Sequence, residues 1–241
     1  MNKKIILLIG GSGKLGVELT KYLNSKYLIL IVDKQKPKSL RKNSFFFNFD
    51  LESQIITYSE LEKKIFLKNK NYKKNLCCVI NLLRPNFKLN KDFAFKTKGL
   101  NQVILNYNNL INHIVKGCKN SLNILDISTT NLKLISQQNF EYHYFKNSME
   151  LLTKYNSLKL VKKKVYSNSL RIGLIKTKNL SKVVSIKNLK KVYKINQLVN
   201  YKNICDFIDK VYIDNKVLNG TTLTLDNSLS NIDPVYFSEK K

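Results

Sequence analysis

The sequence predicts a doubly wound α/β fold: a mostly parallel sheet of seven strands with helices on both faces. Three observations carry that expectation. Ile5-Ile6-Leu7-Leu8-Ile9 is an unbroken aliphatic run, the pattern of a strand buried on both faces. Glycines at 10, 13 and 16 follow, and then Val17, Leu19, Tyr22 and Leu23 recur at helical spacing, so a sharp turn opens an amphipathic helix. Apolar runs and helix-spaced segments go on alternating along the chain, as they do where each strand returns through a crossover helix.

Taken in order, the elements are these. Tyr27 to Asp33 is a second buried strand, ending in a carboxylate. Ser44 to Asp50 is an aromatic-rich third strand closed by Asp50-Leu51. Residues 52–70 read as a helix with Leu61, Ile65 and Phe66 inward, and a turn from Lys68 to Asn75 leads on. Leu76 to Leu83 is the fourth strand; Arg84-Pro85-Asn86 ends it, because proline cannot extend a central ladder. Residues 87–99 read as a basic loop. Val103, Ile104, Tyr107, Leu110, Ile111, Ile114 and Val115 then mark a helix from Leu100, with Gly117 as its stop. Leu122 to Thr130 is the fifth strand, ending in three hydroxyls. A helix follows from Phe140 to Tyr155, and Ser169 to Ile172 is a sixth strand stopped by Gly173. Residues 178–200 are irregular and lysine-rich, and Asn203 to Val211 is a short helix. Gly220 to Asp226 alternates as a seventh strand, and residues 230–241 read as a frayed tail. With no internal repeat and no linker composition, residues 1–241 are expected to form a single domain of the Rossmann type.

The formal net charge is +27, yet only Arg41, Arg84 and Arg171 are arginines. Nucleic-acid faces lean on arginine for bidentate contacts, so the scattered lysines read as compositional, and no nucleic-acid partner is expected. Cys77, Cys78, Cys118 and Cys205 fit no zinc spacing and read as free thiols of a reducing compartment. His113 and His143 are too far apart for a local metal pair, so no metal is expected. The apolar run after Met1-Asn2-Lys3-Lys4 stops at Gly10, and no stretch approaches bilayer length; a soluble, cytoplasmic protein without membrane association is expected.

The glycine turn leaves unpaired N–H groups and a partial positive charge at the start of its helix, where a pyrophosphate fits. Asp33, at the end of the next strand, stands where a dinucleotide's adenosine ribose is received. It favours NAD over NADP by repelling a 2′-phosphate, a preference that Lys34 and Lys36 would soften. Tyr142 and Lys146 are four apart in a predicted helix and share a face. An ammonium beside a phenol favours the phenolate, which suits general acid/base work. Ser128 and Thr129 lie at the carboxyl edge of a central strand, where a hydroxyl can hydrogen-bond a substrate oxygen.

In this order and spacing, the residues resemble the short-chain dehydrogenase/reductase family over nearly the whole chain. Gly10-Gly11-Ser12-Gly13-Lys14-Leu15-Gly16 is similar to its glycine motif, which implies cofactor contacts from Gly10, Ser12, Gly13, Lys14, Leu15 and Gly16. Asp33 matches the family's acidic strand end, and Asp50-Leu51 its adenine-contacting pair. Ile80-Asn81-Leu82-Leu83 stands in place of Asn-Asn-Ala-Gly. It retains Asn81 as a cofactor contact but replaces small residues by leucines, so the space beside the cofactor is expected to be tighter. Tyr142-His143-Tyr144-Phe145-Lys146 is similar to the family's YxxxK. The family's serine lies about thirteen residues earlier, at Thr129, with Ser128 one step before; either hydroxyl can serve. Asn106 looks like the water-holding asparagine, with Asn101 as the alternative placement. Asn168 to Thr177 resembles the segment beside the nicotinamide, with Ile172 for the usual proline, and implies contacts from Gly173 and Ile175. Leu218 to Ser228 resembles the closing strand.

The resemblance implies an NAD(P)-dependent oxidoreductase acting on an alcohol or carbonyl of a small molecule. Tyr142 would exchange the proton, Lys146 would lower its pKa and hold the nicotinamide ribose, Thr129 or Ser128 would orient the carbonyl, and Asn106 would hold a relay water. It also implies a homodimer or homotetramer through residues 100–116 and 140–155, with Tyr144, Phe145 and Leu152 supplying an apolar seam. The alternative is a dinucleotide-binding, redox-sensing module of the same fold without turnover, which the altered residues Asn81 to Leu83 and Ile172 suggest.

Overall fold

The computed structural model describes residues 3–53, 57–84, 93–130, 140–175 and 198–226. Its strands are β1 (Ile5–Ile9), β2 (Leu28–Asp33), β3 (Ser44–Asn48), β4 (Leu76–Asn81), β5 (Leu122–Thr129), β6 (Val165–Ile172) and β7 (Thr222–Leu225). The helices are α1 (Lys14–Leu23), α2 (Tyr58–Lys68), α3 (Tyr72–Asn75), α4 (Phe93–Gly117), α5 (Phe140–Leu160) and α6 (Tyr201–Val211). A 3₁₀ turn, Val161–Lys163, links α5 to β6.

The seven strands form one sheet in the order β3-β2-β1-β4-β5-β6-β7, and every pairing is parallel. β1 is an interior strand, with Ile5 opposite Leu28 on one side and Ile9 opposite Asn81 on the other. Its alternate residues feed two cores. Ile5, Leu7 and Ile9 pack with α2, α4 and α5 through Leu61, Tyr107, Ile111, Phe145 and Met149. Ile6 and Leu8 pack with α1 and α6 through Leu19, Leu23, Ile204 and Ile208. An unbroken aliphatic strand is the direct consequence of burial on both faces. The chain order reverses between β1 and β4, which opens a crevice above their carboxyl ends.

Five expectations are corrected. The helix after β3 starts at Tyr58, and the turn before β4 contains the short α3. α4 begins at Phe93, inside the segment expected to be loop. β6 begins at Val165: its buried Ser167, Asn168 and Ser169 hide it from an apolar pattern. Likewise α5 runs on to Leu160 because Thr153, Asn156 and Ser157 are buried polar residues. The expectations for Pro85-Asn86, most of the lysine-rich segment 178–200, and the tail 230–241 lie outside the described residues, as does the side chain of Phe66. Among the described residues no helix is long and apolar enough to cross a membrane. Cys78 and Cys205 are buried, Cys77 and Cys118 half-buried, and all four thiols are free.

Candidate active site

The turn after β1 shows what each glycine permits. Gly10 has φ +72°, a conformation that a side chain disfavours, and its N–H donates to Val32 O at 2.8 Å. A Cβ on Gly16 would lie 2.2 Å from Gly11 O, so α1 lies flush against the turn. Gly13 differs: a Cβ there would meet nothing within 4 Å. Gly13 is also the N-cap of α1, with no side-chain cap and no acidic residue in the first turn. The uncapped helix start therefore faces open space, which suits an anion.

Beside it lies a cavity of about 270 Å³ lined by Gly10, Gly13, Asp33, Asp50, Leu51 and Arg84, among others. Asp33 accepts from Ser12 N at 2.9 Å and from Gln35 N at 3.2 Å, which ties the glycine turn to the end of β2. The Ser12 hydroxyl donates to Gln35 O. Lys34 pairs with Glu52 at 2.7 Å, so its charge is neutralised at the rim. Leu15 packs on the α1 side of the core, and the Lys14 ammonium sits 5.2 Å from the centre of the Tyr201 ring.

Two expected contacts are engaged elsewhere. Asn81 donates to Asp126 Oδ1 at 2.8 Å and accepts from Leu83 N at 3.0 Å, so it ties β4 to β5 and does not line the cavity. Asn106 donates to Leu51 O at 2.9 Å and Ser53 O at 3.0 Å and accepts from Gln102 at 3.0 Å. Both its amide protons are engaged, so its side chain clamps the loop after β3. Asn101, the alternative, accepts from Tyr144 Oη at 2.7 Å. Gly173 does not line the cavity: its N–H donates to Leu225 O at 3.0 Å, and a Cβ there would lie 2.6 Å from Asp226 Cβ. Ile175 bridges to Val199 and packs on the α6 side.

The carboxyl ends of β4 and β5 gather the remaining candidates. Lys146 is buried, and its ammonium donates to Ile127 O at 2.7 Å and to Leu83 O at 3.0 Å, bridging the two strand ends. An ammonium has three protons, and the third has no acceptor among the described residues. Burial pulls Lys146 down to about 8, partly offset by the charges of Asp126 and Glu150 and reinforced by Arg84. The Tyr142 ring lies 5.9 Å from that ammonium, and its hydroxyl hydrogen-bonds the Thr129 side chain. Ser128, on the opposite face of β5, is buried and its hydroxyl has no partner among the described residues.

The expectation that Lys146 lowers the Tyr142 pKa is corrected. Burial raises Tyr142, while the opposing influences come from the Arg84 guanidinium and the Thr129 hydrogen bond. Lys146 directs its hydrogen bonds at backbone carbonyls and not at the phenol oxygen.

Residues that sequence reading missed complete the site. Asp126, wholly buried on β5, accepts from Tyr107 at 2.7 Å, Asn81 at 2.8 Å and Thr153 at 2.5 Å. Desolvation raises its pKa against those three hydrogen bonds. Arg171 donates to Glu150 through Nε at 2.9 Å and Nη2 at 2.7 Å, pinning α5 to β6. A carboxylate inside an apolar strand and a glutamate four residues after Lys146 were the available signals.

No protein-family model matches the sequence, and no curated protein matches it. Solved structures match its fold. A short-chain type dehydrogenase/reductase from Mycobacterium ulcerans superposes with a TM-score of 0.77 at 13% identity, over 96% of this chain and 91% of that one. A 3-oxoacyl-[acyl-carrier protein] reductase from Brucella melitensis, in complex with NAD, gives 0.75 at 14% identity over 97% and 99%. A short chain dehydrogenase from Leptospira borgpetersenii with bound NAD+ gives 0.74 at 19% identity over 95% and 94%. The architecture of this chain is that of the short-chain dehydrogenases and reductases.

Proposed function

We propose that the chain is a nicotinamide-dependent oxidoreductase of the short-chain dehydrogenase/reductase family, interconverting a small-molecule alcohol and carbonyl. The observation that carries this reading is the grouping of Thr129, Tyr142 and Lys146 at the carboxyl ends of the central strands, beside the glycine-turn cavity. The residues present fit a dinucleotide: an uncapped helix start facing open space at Gly13, and the Asp33 carboxylate lining the same cavity. Gly10, Gly13, Asp33, Asp50 and Leu51 would hold its adenosine and pyrophosphate part. Asp33 favours NAD over NADP, the more so because Lys34 is tied to Glu52.

The bound cofactor supplies or accepts the hydride. The chain's own residues do the rest. Tyr142 Oη gives its proton to the carbonyl oxygen during reduction and takes it back during oxidation. Thr129 orients that oxygen and stabilises the charge developing on it. Lys146 keeps one donor for a ribose hydroxyl while its other two hold the strand ends together. The test is turnover and NADH binding in Tyr142→Phe. Turnover should fall about a hundredfold or more with NADH affinity retained; undiminished turnover would refute the mechanism.

A second reading rests on Leu82 and Leu83, which line the cavity and press against Gly10, where a Cβ would lie 3.0 Å from Leu83 N. A module that binds the dinucleotide without turnover would show NADH binding and no hydride transfer to any carbonyl.

Self-association through α5 is part of the proposal, with a corrected seam. Phe145 is fully buried in the core and Tyr144 and Leu152 pack half-buried against it, whereas Leu151 is 67% and Leu158 80% exposed, with Tyr155 exposed between them. These three fall on one helical face.

A further inference from the structure

The chain has three arginines among its 43 basic residues, so lysine is its default cation. Where arginine replaces lysine, a planar fork is the physical gain. Arg171 uses its fork on Glu150. Arg84, at the exit of β4, lines the cavity with its guanidinium 5.8 Å from the centre of the Tyr142 ring. Among the described residues no carboxylate pairs with it. The acidic groups of the same cavity are engaged elsewhere: Asp33 by Ser12 and Gln35, Asp50 by Glu52 N, and Glu52 by Lys34. Contact with the phenol ring is at the outer range of cation–π attraction, and among the described residues no hydrogen bond is shown for the in-plane N–H donors.

Resting on the oxidoreductase reading above, we infer that Arg84 is a specificity residue that selects carbonyl substrates bearing an oxyanion, a carboxylate or a phosphate, within a few bonds of the reacting carbon. The placement follows from geometry. A carbonyl oxygen within reach of Tyr142 Oη brings its near substituents to the Arg84 fork. The fork suits oxyanions because it can donate two parallel N–H bonds. The Arg84 guanidinium and the buried Lys146 ammonium both lie within 6 Å of the centre of the Tyr142 ring, so the surroundings of the phenol are positive.

The test compares three pairs of carbonyl compounds with NADH as reductant: 2-oxobutanoate and its methyl ester, 3-oxobutanoate and its methyl ester, and dihydroxyacetone phosphate and dihydroxyacetone. The readout is the ratio of kcat/KM for the anionic member to that for the neutral member. Arg84 also influences Tyr142, and the ratio cancels that effect because both members use the same phenol. In the unmodified protein, at least one pair should show a ratio of about ten or more, and the favoured pair tells carboxylate from phosphate. In Arg84→Gln the ratio should fall to about one, with Arg84→Lys between, since a point charge lacks the fork. Ratios at or below one in every pair, or a ratio that survives Arg84→Gln, would overturn the inference. So would weaker NADH binding in Arg84→Gln at an unchanged ratio, which would assign the fork to the cofactor's phosphates. If no compound is reduced, the oxidoreductase reading fails by itself. Isothermal titration calorimetry with the same anions in the presence of NADH then decides the Arg84 site. Saturable binding lost in Arg84→Gln supports it, and no binding refutes it.

Discussion

Adding one methyl group at Gly13 or at Gly16 should have opposite consequences. At Gly16 the new carbon would lie 2.2 Å from Gly11 O and 2.6 Å from Gly11 C. Ordinary contact begins near about 3.5 Å, so α1 must back away from the turn by roughly an ångström. Overpacking against backbone costs about 1–3 kcal/mol, which in a chain of this size lowers Tm by about 3–10 °C. At Gly13 the methyl meets no atom within 4 Å, and φ −68°, ψ 169° is extended backbone that alanine adopts freely. Losing glycine at the N-cap and stiffening the unfolded chain largely offset each other, so Tm should move by no more than about 3 °C. The same methyl, however, fills the space through which a pyrophosphate would approach the α1 N–H groups, so NADH affinity should fall by about tenfold or more. Thermal unfolding followed by circular dichroism and NADH titration followed by fluorescence measure the two effects. Equal Tm losses in the two variants, or undiminished NADH binding in Gly13→Ala, would refute the assignment of roles within the turn.

Two further predictions concern the site and the surface. Asp126→Asn keeps the shape of the side chain but removes the charge that raises Lys146 against burial and Arg84, leaving Glu150 as the remaining support. The Lys146 ammonium, which titrates at about 8, should then lose its proton at lower pH. The alkaline limb of the kcat/KM profile should shift to lower pH with it, and an unmoved limb would show that Asp126 only supports the fold. Leu158→Glu places a charge on the exposed stripe of α5; light scattering should show a smaller assembly with unchanged secondary structure, and an unaltered mass would exclude this face as the seam.

The strand–turn–helix at the start of the chain was legible because its residues obey one rule each: aliphatic where both faces are covered, glycine where backbone or a ligand comes close. The spacing of Tyr142 and Lys146 likewise survives into the structure, since one turn of helix carries both to the same edge of the sheet. What stayed hidden has a common cause. β6 and the second half of α5 bury asparagine, serine and threonine, which read as loop unless their partners are known. Asn168, for instance, is held by Leu218 O and Thr221 N, fifty and more residues away. The same blindness affected Asn81 and Asn106, whose residue type suggested a ligand and whose neighbours turned out to be backbone and Asp126. Arg84 followed an apolar strand and preceded a proline, so it read as a strand stop; only its position over Tyr142 gives it another meaning.

The way Lys146 is anchored carries a consequence for alkaline conditions. A neutral amine still owns two N–H bonds, enough to keep Leu83 O and Ile127 O laced together. Deprotonation therefore leaves the side chain where it is and converts its third N–H into a lone pair. Raising the pH should silence this group chemically while the architecture around it stays intact and recovers fully on neutralisation.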